Sequence, residues 1–124
     1  MSKINNLKIA IDIRRKRIRL TKSVLDAIGD PERIFLLVNP ESRSIAIIPG
    51  DDSKNSHKVG RVTNKGYELT SKLFIYRLCS LCPDWVTEYN YHIIGAFVES
   101  ANAIEFSMDD AIKYRKADNN CGRQ

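Results

Sequence analysis

The sequence has no long apolar run. None approaches the roughly 20 residues a helix needs to cross a bilayer, and the opening MSKINNLKIA holds no apolar stretch of signal-peptide length. A cytoplasmic location with no membrane partner is the expectation. A glycine-rich phosphate loop, an H-E-x-x-H pair and a G-x-S-x-G elbow are also missing. There are two histidines, His57 in a polar stretch and His92 in a strand pattern, and neither sits in a nucleophile–base arrangement. The expectation is a protein that is not an enzyme and has no cofactor. Asp109-Asp110 reads as favourable charge at a helix start. The three cysteines are an odd number in a chain without extracellular signals, so a disulfide framework is not expected. Cys79-Ser-Leu-Cys82 has metal-site spacing, but a closed zinc site needs four ligands and only Cys121, His57 and His92 could complete it. The pair reads instead as small buried hydrophobes ending an apolar helix, and no metal site is expected.

What is present fits one folded domain. The chain has 124 residues, 43% of them hydrophobic and 28% charged, enough for one core and too few for two. Its formal charge of +5 is concentrated at one end. The first 22 residues carry eight Lys or Arg against the single acid Asp12, a local +7, while the remaining 102 carry twelve against fourteen, or −2. A local positive field attracts polyanions by counterion release, and nucleic acid is the commonest such partner in a cytoplasm.

Apolar Leu7, Ile9, Ile11 and Ile13 alternate with Lys8, Ala10 and Asp12, the period-two pattern of a half-buried strand. After Arg14-Arg15-Lys16-Arg17 the apolar phase moves to Ile18 and Leu20, which requires a turn or bulge with the basic residues at its tip. Thr21 stands at a helix N-cap position and Gly29 at a helix stop. A hydrophobic hairpin follows over 33–38 and 43–49, turned by Asn39-Pro40-Glu41-Ser42. Residues 50–58 are polar throughout and read as a linker.

Beyond the linker the order repeats. Tyr67-Glu68-Leu69-Thr70 takes the place of Ile18-Arg19-Leu20-Thr21, 49 residues on. A helix is predicted over 71–82, with Phe74, Leu78 and Leu81 on one face. A strand is predicted over 91–98, a turn over 99–102, and a partner strand over 103–106 whose Ala-Ile-Glu-Phe matches Ser44-Ile45-Ala46-Ile47. The stretch from Pro83 to Asn90, with Trp85 as a cap on the core, has no counterpart in the first copy. Ser107 and Asp110 form a variant helix-start box before a short helix over 111–116. The fold class is therefore mainly β with short helices (α+β): one domain over 1–107, with repeats at 7–49 and 59–107, then a short helix and frayed tail over 108–124.

Arg17-Ile18-Arg19-Leu20-Thr21, then Ala27-Ile28-Gly29, then Ile45-Ala46-Ile47-Ile48-Pro49 resemble the AbrB/SpoVT/MraZ-type swapped-hairpin repeat. Gly66-Tyr67-Glu68-Leu69-Thr70 and Ala103-Ile104-Glu105-Phe106 carry the second copy. The resemblance spans roughly residues 7 to 107. It implies a swapped-hairpin-like β-barrel formed by two pseudo-repeats within one chain, and a DNA-binding transcriptional regulator. Thr21 and Thr70 stand where the family usually has proline.

The nucleic-acid-binding residues expected are Arg14, Arg15, Lys16, Arg17 and Arg19, with Lys8, Lys22 and Lys65. The planar fork of arginine suits phosphates and guanine edges, and double-stranded DNA is the expected partner. The basic cluster of the first copy has no equal in the second, and dimerisation is one way such a chain would regain symmetry. The alternative is a protein-interaction or antitoxin-like module that keeps the fold without specific DNA binding.

Overall fold

The computed structural model describes residues 6–62 and 66–115. The first part of the chain runs β1 (Lys8–Asp12), β2 (Arg17–Leu20), α1 (Lys22–Ala27), β3 (Arg33–Asn39) and β4 (Ser44–Pro49). The second runs β5 (His57–Lys58), β6 (Gly60–Val62), β7 (Gly66–Thr70), α2 (Lys72–Leu81), β8 (Tyr89–Ile94), β9 (Ala96–Val98) and β10 (Ala103–Ser107), followed by β11 (Ile112–Arg115). The molecule is mainly β, with two antiparallel sheets ordered β11-β8-β1-β2-β7-β6 and β5-β3-β4-β10-β9. These are two sheets, with no closed barrel among the described residues.

Alternation puts one face of β1, β2, β4 and β8 inside. Ile9, Ile11, Ile18 and Ile93 from the six-stranded sheet and Ile34, Ile45, Ile47 and Ile104 from the five-stranded sheet are fully buried in one shared cluster. Burying such a side chain contributes about 1.5–3 kcal/mol. Residues between them on β1 and β2, namely Lys8, Ala10, Asp12, Arg17 and Arg19, take the outer face. That places the basic segment on the outer surface of the six-stranded sheet.

The two parts of the chain pair with each other strand to strand. In β2–β7, Ile18 lies opposite Leu69 and Leu20 opposite Tyr67, so Arg19 faces Glu68, its own counterpart 49 residues on. In β4–β10, Ala46 faces Glu105, again the matching position. The hairpin turns match as well: Arg43 (φ 54°) and Asn102 (φ 48°) both adopt the left-handed conformation just before β4 and β10. Strands also pair across the two parts of the chain, β1 with β8 and β5 with β3.

Four expectations change. The strand predicted over 91–98 breaks at Gly95, whose N–H donates to the Leu7 carbonyl at 2.7 Å. β8 stays with β1 while β9 joins β10, so the chain passes from one sheet to the other. At Val59 it passes between sheets again, because the end of the expected linker, His57–Lys58, pairs with β3. That linker is anchored by Ser56, buried, whose Oγ accepts from Arg33 Nε at 2.6 Å. The short helix predicted over 111–116 is replaced across its described part: a 3-10 turn over Met108–Asp110 leads into strand β11, paired with β8. β11 is exposed along its whole length, and it is held as a strand by its ladder with β8, by Tyr114 against His92 and by Lys113 and Arg115 over the Tyr89 ring. Thr21 occupies the N-cap position of α1 without capping. Its Oγ1 instead accepts from Lys8 N at 3.1 Å and donates to the Asn6 carbonyl at 2.8 Å, tying the start of β1 to the helix entry.

Candidate nucleic-acid interface

The basic run begins in the tight turn between β1 and β2. Lys16 adopts φ 56°, and its N–H reaches the Ile13 carbonyl at 3.2 Å. Asp12 fixes the turn from below: one carboxylate oxygen accepts from Arg15 N at 3.2 Å and the other meets Arg15 Nη1 at 3.4 Å. Arg14, Arg15 and Lys16 are exposed at the tip. Among the described residues, Arg14, Lys16 and Lys8 hold no ion pair.

Along β2 the arginines are organised by a single acid. Arg17 Nε lies 3.2 Å from one oxygen of Glu68 and Arg19 Nε 3.3 Å from the other. One carboxylate thus holds two guanidinium groups side by side on the outer face of the sheet, leaving the cluster a net +1. Each guanidinium has five N–H donors, so its Nε contact leaves the other four for a ligand.

These residues line a groove of about 390 Å³ over β1, together with Lys8, Asp12, Arg15 and, from β8, Asn90 and His92. Register explains the meeting: Asp12 has Arg17 on one side and Asn90 on the other, and Ala10 lies between Arg19 and His92. The small Ala10 side chain makes the floor. His92 packs against Tyr114 of β11, ring centroids 4.4 Å apart and tilted by 33°. Burial, and then the nearby Lys8 ammonium, pull its imidazole below the ordinary 6.5, so it is neutral at pH 7.

Of the residues expected from sequence, Lys8, Arg15, Arg17 and Arg19 meet in this groove, and Arg14 and Lys16 crown the adjoining turn. Lys22 stands on α1, exposed and paired with Asp26 at 3.3 Å. Lys65 lies outside the described residues. Sequence reasoning missed Asn90, His92 and Tyr114 as neighbours of this segment. The alternating pattern of 89–94 was the available signal, but nothing local pairs it with β1.

Elsewhere the cysteines behave as core groups. Cys82 is fully buried at the end of α2, its Sγ 3.7 Å from Met108 Sδ and 3.6 Å from Arg43 Nη2. Burial pushes both the Cys79 and Cys82 thiols up. Among the described residues no group of three or more His, Cys, Asp or Glu is placed to hold a metal; Cys121 lies outside them. Trp85 stacks on Tyr91 at 4.4 Å with an 8° interplanar angle, closing the core beside α2. Among the described residues no helix is long and apolar enough to cross a membrane.

No family model, no curated protein and no solved structure matches the chain.

Proposed function

We propose that this chain is a nucleic-acid-binding transcriptional regulator of AbrB/MraZ type, built on the swapped-hairpin plan within one chain, its two sheets forming the halves of a flattened barrel. Pairing of strands across the two parts of the chain, β1 with β8, β3 with β5 and β2 with β7, supports the plan. One observation carries the function: Arg14 and Lys16 at an exposed turn, with Lys8, Arg15, Arg17 and Arg19 beside it, gather on the outer face of one sheet around a single groove. β1 and β2 are interior strands of the six-stranded sheet, so these charges do not serve to protect a sheet edge.

Fluorescence anisotropy on a mixed-sequence DNA duplex over a range of salt tests this. With about five phosphate contacts, log affinity falls against log salt with a slope of roughly −4 to −5. Arg14→Ala with Lys16→Ala flattens that slope by about 2. Glu68→Gln, which releases Arg17 and Arg19 from their shared acid, raises affinity. Absence of salt-dependent binding at low ionic strength, or indifference to all three substitutions, sinks the proposal.

A second reading has its own observation. Leu37, Leu73 and Tyr76 are exposed, at 46%, 60% and 71%, and Leu37 and Leu73 flank a second groove between β3 and α2. An apolar surface of this kind suits a protein partner, and concentration-dependent mass measurement shows whether it drives self-association.

A further inference from the structure

The groove over Ala10 has a shape that phosphate binding alone does not explain. Ala10 sits between His92 on β8 and Arg19 on β2, directly opposite each. Adjacent strands are roughly 4.8 Å apart, so the backbones of His92 and Arg19 stand about 10 Å apart across a floor of one methyl group. The His92 wall is a flat ring braced from behind, and the Arg19 wall is a guanidinium anchored through its Nε, so that its edge rather than its face is turned to the groove. Tyr114 backs His92 at 4.4 Å, and Glu68 holds the Arg19 Nε at 3.3 Å on the far side. The opening of about 390 Å³ falls in the range of small-ligand clefts, roughly 300–1,000 Å³.

We infer that this groove is a slot for one unpaired nucleobase of a single-stranded nucleic acid, its ring stacked on the His92 imidazole and its edge turned to the Arg19 guanidinium. The inference rests on the nucleic-acid reading above and names the form of the ligand. Aromatic faces stack on nucleobases without regard to sequence, and the Arg19 N–H groups not used by Glu68 donate to oxygen and nitrogen atoms on a base edge. Lys8 and Arg15, which also line the groove, take the phosphates on either side of the held base. A base inside a duplex is stacked on its neighbours and cannot enter without being extruded. The slot therefore favours single strands, bulges or frayed ends, while the exposed tip at Arg14 and Lys16 attracts any phosphate backbone.

The test is anisotropy at one fixed salt with three labelled probes: a short oligothymidylate, an abasic strand of the same length, and a duplex of the same length. The oligothymidylate binds about tenfold tighter than the abasic strand, a conservative figure for one stacked base. Ala10→Leu fills the slot without changing charge, and it removes that tenfold preference, so that oligothymidylate and abasic strand bind alike. His92→Ala, which deletes one wall and leaves every basic residue in place, does the same. Equal binding of oligothymidylate and abasic strand by the unaltered protein overturns the slot without recourse to any variant, and if duplex is still bound the regulator reading stands. Loss of duplex and single-strand binding alike in both variants also overturns it, since the residues would then serve the surface as a whole. If none of the probes binds at low salt, both proposals fall together.

Discussion

A methyl group at position 95 has nowhere to go. Built on Gly95, it would lie 2.6 and 2.7 Å from carbons of the Phe106 ring and 2.8 Å from the Glu105 carbonyl oxygen. Phe106 is itself fully buried and cannot swing aside. Gly95→Ala is expected to destabilise by about 1–3 kcal/mol, read as a lower urea midpoint with unchanged m-value. Gly66 is constrained twice: φ is 116°, and an added Cβ would collide with the Leu20 carbonyl oxygen where β7 lies against β2. Gly29, at φ 96°, has nothing within 4 Å of such an atom. Gly29→Ala is therefore the milder control, carrying only the backbone cost of about 1 kcal/mol.

At the scale of the elements, two strands carry histidines whose environment favours the neutral ring. His57 on β5 is lowered by burial and then by Arg33, and His92 on β8 by burial and then by Lys8. A lowered folded-state pKa means that the unfolded chain takes up protons first. Stability is accordingly full above about 6.5 and falls as pH drops below that value toward the folded-state pKa. Urea midpoints at pH 7.5 and pH 5.5 should show the loss, and His92→Gln with His57→Gln should remove most of it. The same two strands mark what could be read from sequence. β1 and β2 were legible because Ile9, Ile11, Ile18 and Leu20 alternate with polar residues and the phase changes at the basic turn. β5 was not, because His57-Lys58 has no pattern of its own and becomes strand only by pairing with β3. The break between β8 and β9 had a local sign, a glycine inside an apolar run, but which sheet each half joins is decided by contacts far along the chain. For that reason the basic half of the groove was legible as a run of residues, while Asn90, His92 and Tyr114 were not.

The whole molecule is two interlocked halves. Neither half holds its sheets alone, since β1 pairs with β8 and β3 with β5. Chains cut in the exposed loop over 51–55 should each be largely unstructured alone and should regain the β-sheet circular dichroism signal when mixed. A half that folded by itself would contradict the pairing described here. The contact at the centre has a consequence of its own. Were β2 to pair with a second β2 around a true two-fold, Arg19 would meet another Arg19; here it meets Glu68. Opposite charges at the axis give the face a head and a tail. A polymer lying across such a face runs in one sense only, so a preferred site would be oriented and non-palindromic, and inverting it would weaken binding even with every base retained.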